Sequence, residues 1–324
     1  MRWFCLKSLL AVAGLAGFAA PAAAQEFPSK SIRLMLPFPP GGFVDILARL
    51  TTPGMGQALG QNVLVDNRPG ANGNIAIDTV AKSQPDGYTL VFAQVSNLAV
   101  NPALYKDLPF DVLKDLAPVG FVATAPQVLV TSAASELKSV ADLIATAKAK
   151  PGELMFASSG NGSLGHLGSE LMQQQAGIKI THVPYKGAAP AVIDIMGGRA
   201  HLSIFAMPSV IGQIRAGKLR ALAVTSLVRT PELPDVPPMS EAGFPGYTTI
   251  NWLAVMARAG TPPAVIDKLN KALNTALADR ETIARFAKEG ATVLTSTPEK
   301  LGTDLAADLV KWAKVVKDAG VKLE

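Results

Sequence analysis

Apolar positions along this chain alternate between two rhythms. Short apolar runs bounded by turn residues, such as Ile32-Arg33-Leu34-Met35-Leu36 and Leu202 to Phe205, have the length of buried strands. Between them lie stretches whose apolar residues recur three or four apart. From Val44 to Leu59, for example, Ile46, Leu47, Leu50 and Leu59 share one helical face. Strand and helix patterns in alternation predict βαβ units with parallel sheets, and so an α/β fold.

The first block predicts strands over 32–36, 62–65 and 88–93, with helices over 44–59 and 75–81. The loops between them are Pro37 to Gly42, Arg68 to Gly73 and Pro85-Asp86-Gly87. Two extended pieces, 119–122 and 128–131, are expected on either side of Pro126. A second block predicts helices over 140–149, 163–176, 188–196 and 210–216, and strands over 154–157, 178–183, 202–205 and 219–224. The proline-rich stretch 231–245 suits neither element, and a strand over 250–257 follows. Three closing helices, 262–277, 281–287 and 298–316, have no sheet of their own to cover. Returning them to the first block's sheet requires the chain to pass between two lobes twice, near 122–128 and near 245–252. The expected division is residues 25–124 plus 250–324 in lobe 1 and 125–249 in lobe 2, with a hinge at the crossings. A bilobed chain with a double crossover has the architecture of periplasmic solute receptors.

Of the 324 residues, 49% are hydrophobic and only 17% charged, which excludes a disordered chain. The opening residues raise the mean hydropathy to +0.28. Arg2 and Lys7 precede the apolar stretch Leu9 to Ala20, and Pro21-Ala22-Ala23-Ala24 offers small residues for signal peptidase. This predicts an exported, periplasmic protein with a signal peptide over 1–24, cleaved after Ala24 to leave Gln25 first. The apolar run is too short for the ~20 residues that span a bilayer. Without Arg2 and Lys7, 28 basic side chains face 25 acidic ones, a net +3. They are scattered, so no nucleic-acid groove is expected. The lone Cys5 lies inside the leader, which removes thiol chemistry from the mature chain.

Two glycine-bearing loops, each after a strand and before a helix, are the candidate chemistry. Gly160-Asn161-Gly162-Ser163-Leu164-Gly165 matches G-x-G-x-x-G, but the following strand ends Thr181-His182-Val183-Pro184 without the carboxylate that holds a ribose. The nucleotide reading therefore fails. What remains is an anion cradle, in which glycines let the backbone approach and a helix start offers free N–H groups. Ser158, Ser159 and Ser163 add hydroxyls there, and His166 follows one turn on; plain helix capping is the alternative reading of this turn. In the other lobe, Phe38, Pro40, Gly41, Gly42 and Phe43 form the matching loop, with Gly41 and Gly42 both expected to allow positive φ and close approach. Asp45 is placed either to accept from a ligand or to cap its own helix. Ser96 and Asn97, after the third strand, are further polar contacts. His166, His182 and His201 lack the spacing of a zinc helix, and there is no G-x-S-x-G elbow, so neither metal, cofactor nor catalytic set is expected.

These motifs also carry a resemblance. The chain resembles the Bug-type extracytoplasmic solute receptors of tripartite tricarboxylate transporters over essentially its whole mature length. The blocks in order are Pro28-Ser29-Lys30 with Ile32-Arg33, Pro37-Phe38-Pro39-Pro40-Gly41-Gly42 with Asp45 and Ala48-Arg49, and Asp66-Asn67-Arg68-Pro69-Gly70-Ala71 with Gly73-Asn74. They continue with Ala81-Lys82 and Pro85-Asp86-Gly87-Tyr88-Thr89-Leu90, Asn101-Pro102 with Leu104-Tyr105, Ser158 to Ser163 with His166-Leu167, and Val183-Pro184-Tyr185-Lys186-Gly187. The resemblance implies a two-lobed type 2 periplasmic-binding-protein fold. It also implies a small organic carboxylate held between the lobes by backbone amides, hydroxyls and water. By matching motif, the implied site is Pro40 to Gly42 with Asp45 from one lobe and Ser158, Ser159, Gly160, Asn161, Gly162 and Ser163 from the other. Phe43-Val44 and Gln94-Val95-Ser96-Asn97 depart from the family pattern and bear on which ligand fits.

The expected function is capture of a mono- or dicarboxylate and delivery to the membrane permease subunits of a tripartite tricarboxylate transporter, by a monomer. Two alternatives stand beside it. One is a sensor that docks on a periplasmic signalling domain. The other is an exported enzyme with His166 as acid or base and Ser163 as helper.

Overall fold

A computed structural model describes residues 27–319 of the chain; the leader and its cleavage site lie outside the described residues. In chain order the strands are β1 (Ile32–Leu36), β2 (Val63–Asn67), β3 (Thr89–Gln94), β4 (Leu116–Ser132), β5 (Met155–Ser158), β6 (Thr181–Pro184), β7 (Leu202–Ala206), β8 (Leu219–Val224), β9 (Ile250–Arg258) and β10 (Thr292–Val293). The first helices are α1 (Phe43–Leu59), α2 (Asn74–Ala81), α3 (Asn101–Leu104), α4 (Val112–Asp115) and α5 (Val140–Ala149). They are followed by α6 (Leu164–Ala176), α7 (Ala188–Met196), α8 (Ile211–Arg215), α9 (Pro263–Ala278), α10 (Arg280–Lys288) and α11 (Pro298–Ala319). The α/β class and the strand-helix rhythm match the sequence reading.

Strand order runs β2-β1-β3-β9-β4-β7-β5-β6, with β8 and β10 also paired to β4. β1 is parallel to β2 and β3, and β5 is parallel to β6 and β7. The crossing strands β4 and β9 are antiparallel to each other. The two extended pieces expected around Pro126 are a correction: they are one strand, β4, that serves both halves of the sheet. Its first part pairs with β9 and β10, and its second part, from Gln127, pairs with β7 and β8. On one edge of β4, Pro126 pairs with Ile250 of β9; on the other it lies between the β10 partners Ala123 and Thr124 and the β7 partners that begin at Gln127. The missing N–H thus falls in a gap in the ladder, where proline is tolerated.

Apolar cores cover both faces of each half. On the first half, α1, α9 and α10 contribute Leu47, Met55, Leu269, Leu273 and Phe286 to one face. On its other face, α2 and α11 contribute Ile77, Val80, Leu301 and Leu305. On the second half, Leu143, Phe156 and Met172 pack on one face and Val192, Ile195 and Ile211 on the other. Among the described residues no helix is long and apolar enough to cross a membrane. The β1–α1 and β5–α6 loops leave the sheet at the carboxyl ends of parallel strands, the place where open α/β sheets hold ligands.

Candidate functional site

The loop between β1 and α1 is rigid because Asp45 ties it down. Asp45 is 4% exposed. Its carboxylate accepts from the Gly41 N–H at 3.0 Å, from Arg49 Nε at 3.0 and 3.1 Å, and from Asn67 Nδ2 at 3.1 Å. Burial alone raises such a group, but the hydrogen bonds from Arg49, Gly41 and Asn67 outweigh it and hold the carboxyl below its usual range. Of the two roles left open for Asp45, its geometry is that of a brace within its own loop. Gly41 has the expected positive φ of 88°, whereas Gly42, expected to share it, is extended at −96° and serves as N-cap of α1. Phe43 donates its N–H to Ser209 Oγ, 2.9 Å away in the opposite half. The next N–H, that of Val44, has no partner among the described residues.

The second loop, between β5 and α6, is built by internal capping. Ser158 Oγ lies 2.6 Å from His182 Nε2 and accepts from the Gly160 N–H. Gly162 donates its N–H to His166 Nδ1 at 3.1 Å, and Ser163 Oγ caps the helix by accepting from the His166 N–H. The two imidazoles stack at 3.8 Å with planes 9° apart. Past the cap, the N–H groups of Leu164 and Gly165 have no partner among the described residues. Gly165 is there for packing: an added Cβ would come within 3.0 Å of the Ile204 carbonyl oxygen. The absence of that carbon lets the first turn of α6 lie directly on β7.

Between the loops is a narrow cleft; the space between its atoms, open solvent at the mouth included, is about 460 Å³. Phe38, Gly42, Phe43 and Val44 line it from one side, and Ser159, Leu164, Gly165, Phe205, Ala206 and Ser209 from the other. Its floor is polar, with Gln94, Gln127 and Asn251, all almost wholly buried. Among the described residues no charged side chain lines it. A second hollow of about 620 Å³ adjoins it past Phe38 and Ser159 and touches Gly160, Asn161, Asn72 and Lys186.

The predicted residues therefore sort by depth. Phe38, Gly42, Phe43 and Ser159 face the cleft, and Gly160 and Asn161 the outer hollow. Asp45, Ser158, Ser163 and His166 stand behind it as braces and caps, and Pro40 and Gly41 shape the turn. Ser96 and Asn97 are fully buried one layer back: Ser96 accepts from Gln94, and Asn97 bonds the Gln94 N–H and the Asn72 carbonyl. Gly162 also differs from expectation. A side chain there would meet the Leu104 side chain, so this glycine lets the β5–α6 loop lie against α3. Gln127, Asn251 and Ser209 went unread in the sequence, and Gln94 stood there only as part of a departure from the family pattern. A glutamine or asparagine inside an otherwise apolar strand run, as at Gln127 and Asn251, is the signal that marks them.

Burial holds both histidines neutral at pH 7, with His182 at about 4 and His166, which also faces His182, at about 3. Nδ1 of His166 accepts from Gly162, which places its proton on Nε2, toward Glu170 at 3.8 Å. A base with that lone pair engaged has nothing to offer a substrate. The unfolded chain binds protons near pH 6.5 and the folded chain does not, so stability is full above that pH and falls as pH drops toward 4. Glu170, raised by its own burial, opposes this in part. The melting temperature is expected to fall by several degrees between pH 7 and 5. A His166→Gln/His182→Gln double variant should flatten that slope, and an unchanged slope would refute the assignment.

Comparison with known proteins follows the same lines. Residues 47–321 match the family model described as the tripartite tricarboxylate transporter family receptor. Protein BugT of Bordetella pertussis (strain Tohama I) is 44% identical over 324 residues, covering 98% of this chain and 99% of that protein. Among solved structures, R. palustris Rpa4515 with adipate superposes with a TM-score of 0.89 at 37% identity, covering 92% of this chain and 99% of that one. The periplasmic binding protein BugD superposes with a TM-score of 0.89 at 33% identity, covering 92% of this chain and 100% of that one.

Proposed function

Since the chain belongs to the tripartite tricarboxylate transporter receptor family, as a solute-binding receptor with the α/β fold of periplasmic binding proteins, we propose that it captures a small organic carboxylate in the cleft between α1 and α6 and delivers it to transporter permease subunits. The observation that carries this reading is the convergence of two helix N-termini. Val44 on one side and Leu164 and Gly165 on the other present unpartnered N–H groups to a cleft without a charged side chain. A carboxylate accepts at both oxygens and suits the positive ends of two helix dipoles. Adipate in the related Rpa4515 is an acid of this class. The leader over 1–24 supports export to the periplasm.

The halves, residues 25–124 with 250–324 and residues 125–249, act as lobes. They are joined where Pro126 pairs with Ile250. Gln127 and Asn251 sit at this joint and also floor the cleft, so a ligand that touches them acts on the hinge directly. Contacts made from both lobes favour the closed state that a permease reads. The Phe43 N–H to Ser209 bond spans the lobes. Removing it with Ser209→Ala is expected to weaken ligand affinity by about fivefold, the equivalent of one ordinary hydrogen bond at ~1 kcal/mol. Calorimetry checks this, and an unchanged affinity would remove the bond from the closure mechanism.

A thermal-shift screen of mono-, di- and tricarboxylates, followed by titration calorimetry, tests the proposal as a whole. Saturable 1:1 stabilisation by at least one acid, without product formation, is the expected result. No response to any acid, or turnover of one, would overturn it.

A further inference from the structure

The cleft floor holds an acceptor that a carboxylate cannot satisfy. Asn251 is 3% exposed, lines the cleft, and donates through Nδ2 to Gln94 Oε1 at 2.7 Å. Gln94 in turn donates through Nε2 to Ser96 Oγ at 3.0 Å. This relay joins three polar side chains and leaves Asn251 Oδ1 buried and without a hydrogen-bond partner among the described residues. Beside it, Gln127 has its Oε1 already engaged by the Thr249 hydroxyl at 2.9 Å. Among the described residues, Asn251 is the one cleft-lining side chain with a buried, unpartnered polar atom.

A buried carbonyl oxygen left unpaired is unfavourable, and an ionised carboxylate, which only accepts, makes it worse by placing two acceptors face to face. The group that completes the floor is a donor, carried on the ligand within reach of the carboxylate held by the helix N-termini. Of the donors compatible with an organic acid, an ammonium brings a charge that no side chain lining the cleft balances. A hydroxyl brings one neutral O–H.

We propose that Asn251 Oδ1 is the specificity contact for a hydroxyl on the ligand, so that the preferred substrates are hydroxycarboxylates and not their deoxy counterparts. This rests on the carboxylate reading above and narrows it. Sites built to bond a substrate hydroxyl discriminate strongly against analogues lacking it, because their own polar group is then stranded.

The test uses matched pairs: malate against succinate, citrate against tricarballylate, and mandelate against phenylacetate, titrated into the purified full-length mature chain by calorimetry. In whichever pair fits the cleft, the hydroxy acid is expected to bind at least about tenfold more tightly. Asn251→Ala should shrink that ratio to within about twofold by weakening the hydroxy acid alone. The wild-type ratio stands as a result even where the variant folds poorly. Equal binding within every pair that binds, or tighter binding of the deoxy acid, would overturn the hydroxyl contact while leaving the carboxylate receptor intact. Tighter deoxy binding would mean that the relay runs in reverse and presents an N–H. Binding of an amino acid such as aspartate in strong preference to malate would also overturn it. Absence of binding by any acid would instead overturn the receptor reading itself.

Discussion

Gly165→Ala is expected to weaken ligand binding by more than tenfold and to destabilise the fold by roughly 1–3 kcal/mol, the usual range for overpacking a filled site. The added methyl would land on the Ile204 carbonyl oxygen, which is backbone of the central strand β7 and has no rotamer by which to yield. The first turn of α6 must lift instead. That displaces the Leu164 and Gly165 N–H groups from the position where they face Val44 across the cleft, so stability and affinity fall together. Thermal melts and calorimetry on the variant measure both. Retention of wild-type affinity would show that the α6 N-terminus is not where the ligand is held. The neighbouring Gly162→Ala serves as a comparison. There the obstacle is the tip of the Leu104 side chain, so a smaller loss is expected even with the added strain of a φ of 75°.

Asp45→Ala is the second large effect, and it acts through a residue that stands outside the cleft lining. Removing the carboxylate leaves the Gly41 N–H and Asn67 Nδ2 without their acceptor in a buried setting, while Arg49, about half exposed, turns to water. Hydrogen bonds to a buried charge are each worth ~1.5–3 kcal/mol, and solvation of Arg49 returns part of that, so a net loss of about 2–3 kcal/mol is expected. Ligand affinity should fall at least tenfold, because the Pro37 to Gly42 turn that aims the α1 N-terminus is no longer fixed. Asp45→Asn, which keeps one acceptor in place, should fall between the two proteins. Because the folded carboxyl sits below its usual range, its contribution is complete above about pH 4 and is lost as the pH falls further. A melting temperature for Asp45→Ala within a degree of the wild type would contradict the bracing role.

How far the chain could be read in advance depends on what kind of force sets each feature. Strands with a continuous apolar run, such as β1, β3, β7 and β9, and helices with a clear apolar face, such as α1 and α9, were legible because burial imposes a period on the sequence. The two-residue β10 has no room for a period. β4 was obscured because Pro126 reads as an interruption, and only its place between the β10 and β7 partners on one edge makes it harmless. The two loops could be located from Gly and Pro spacing, but the direction of each side chain could not. Asp45, Ser158 and His166 have the residue types of a binding site, yet their partners, Gly41, Gly160 and Gly162, are local backbone groups. Conversely, Gln94, Gln127 and Asn251 come from three strands far apart in the chain, and only the sheet order brings them to one floor. The last glycine of the G-x-G-x-x-G run keeps the helix-on-strand packing role that such motifs give it, although no ribose-binding carboxylate follows on the next strand.

The most direct measurement follows the backbone amides themselves. With 15N-labelled protein titrated with whichever acid stabilises it, the N–H resonances of Val44, Leu164 and Gly165 should move together and saturate at one equivalent, their protons shifting downfield as carboxylate oxygens come within bonding distance. If those three resonances stay in place while residues around Lys186 or elsewhere respond, the ligand is not seated between the two helix starts.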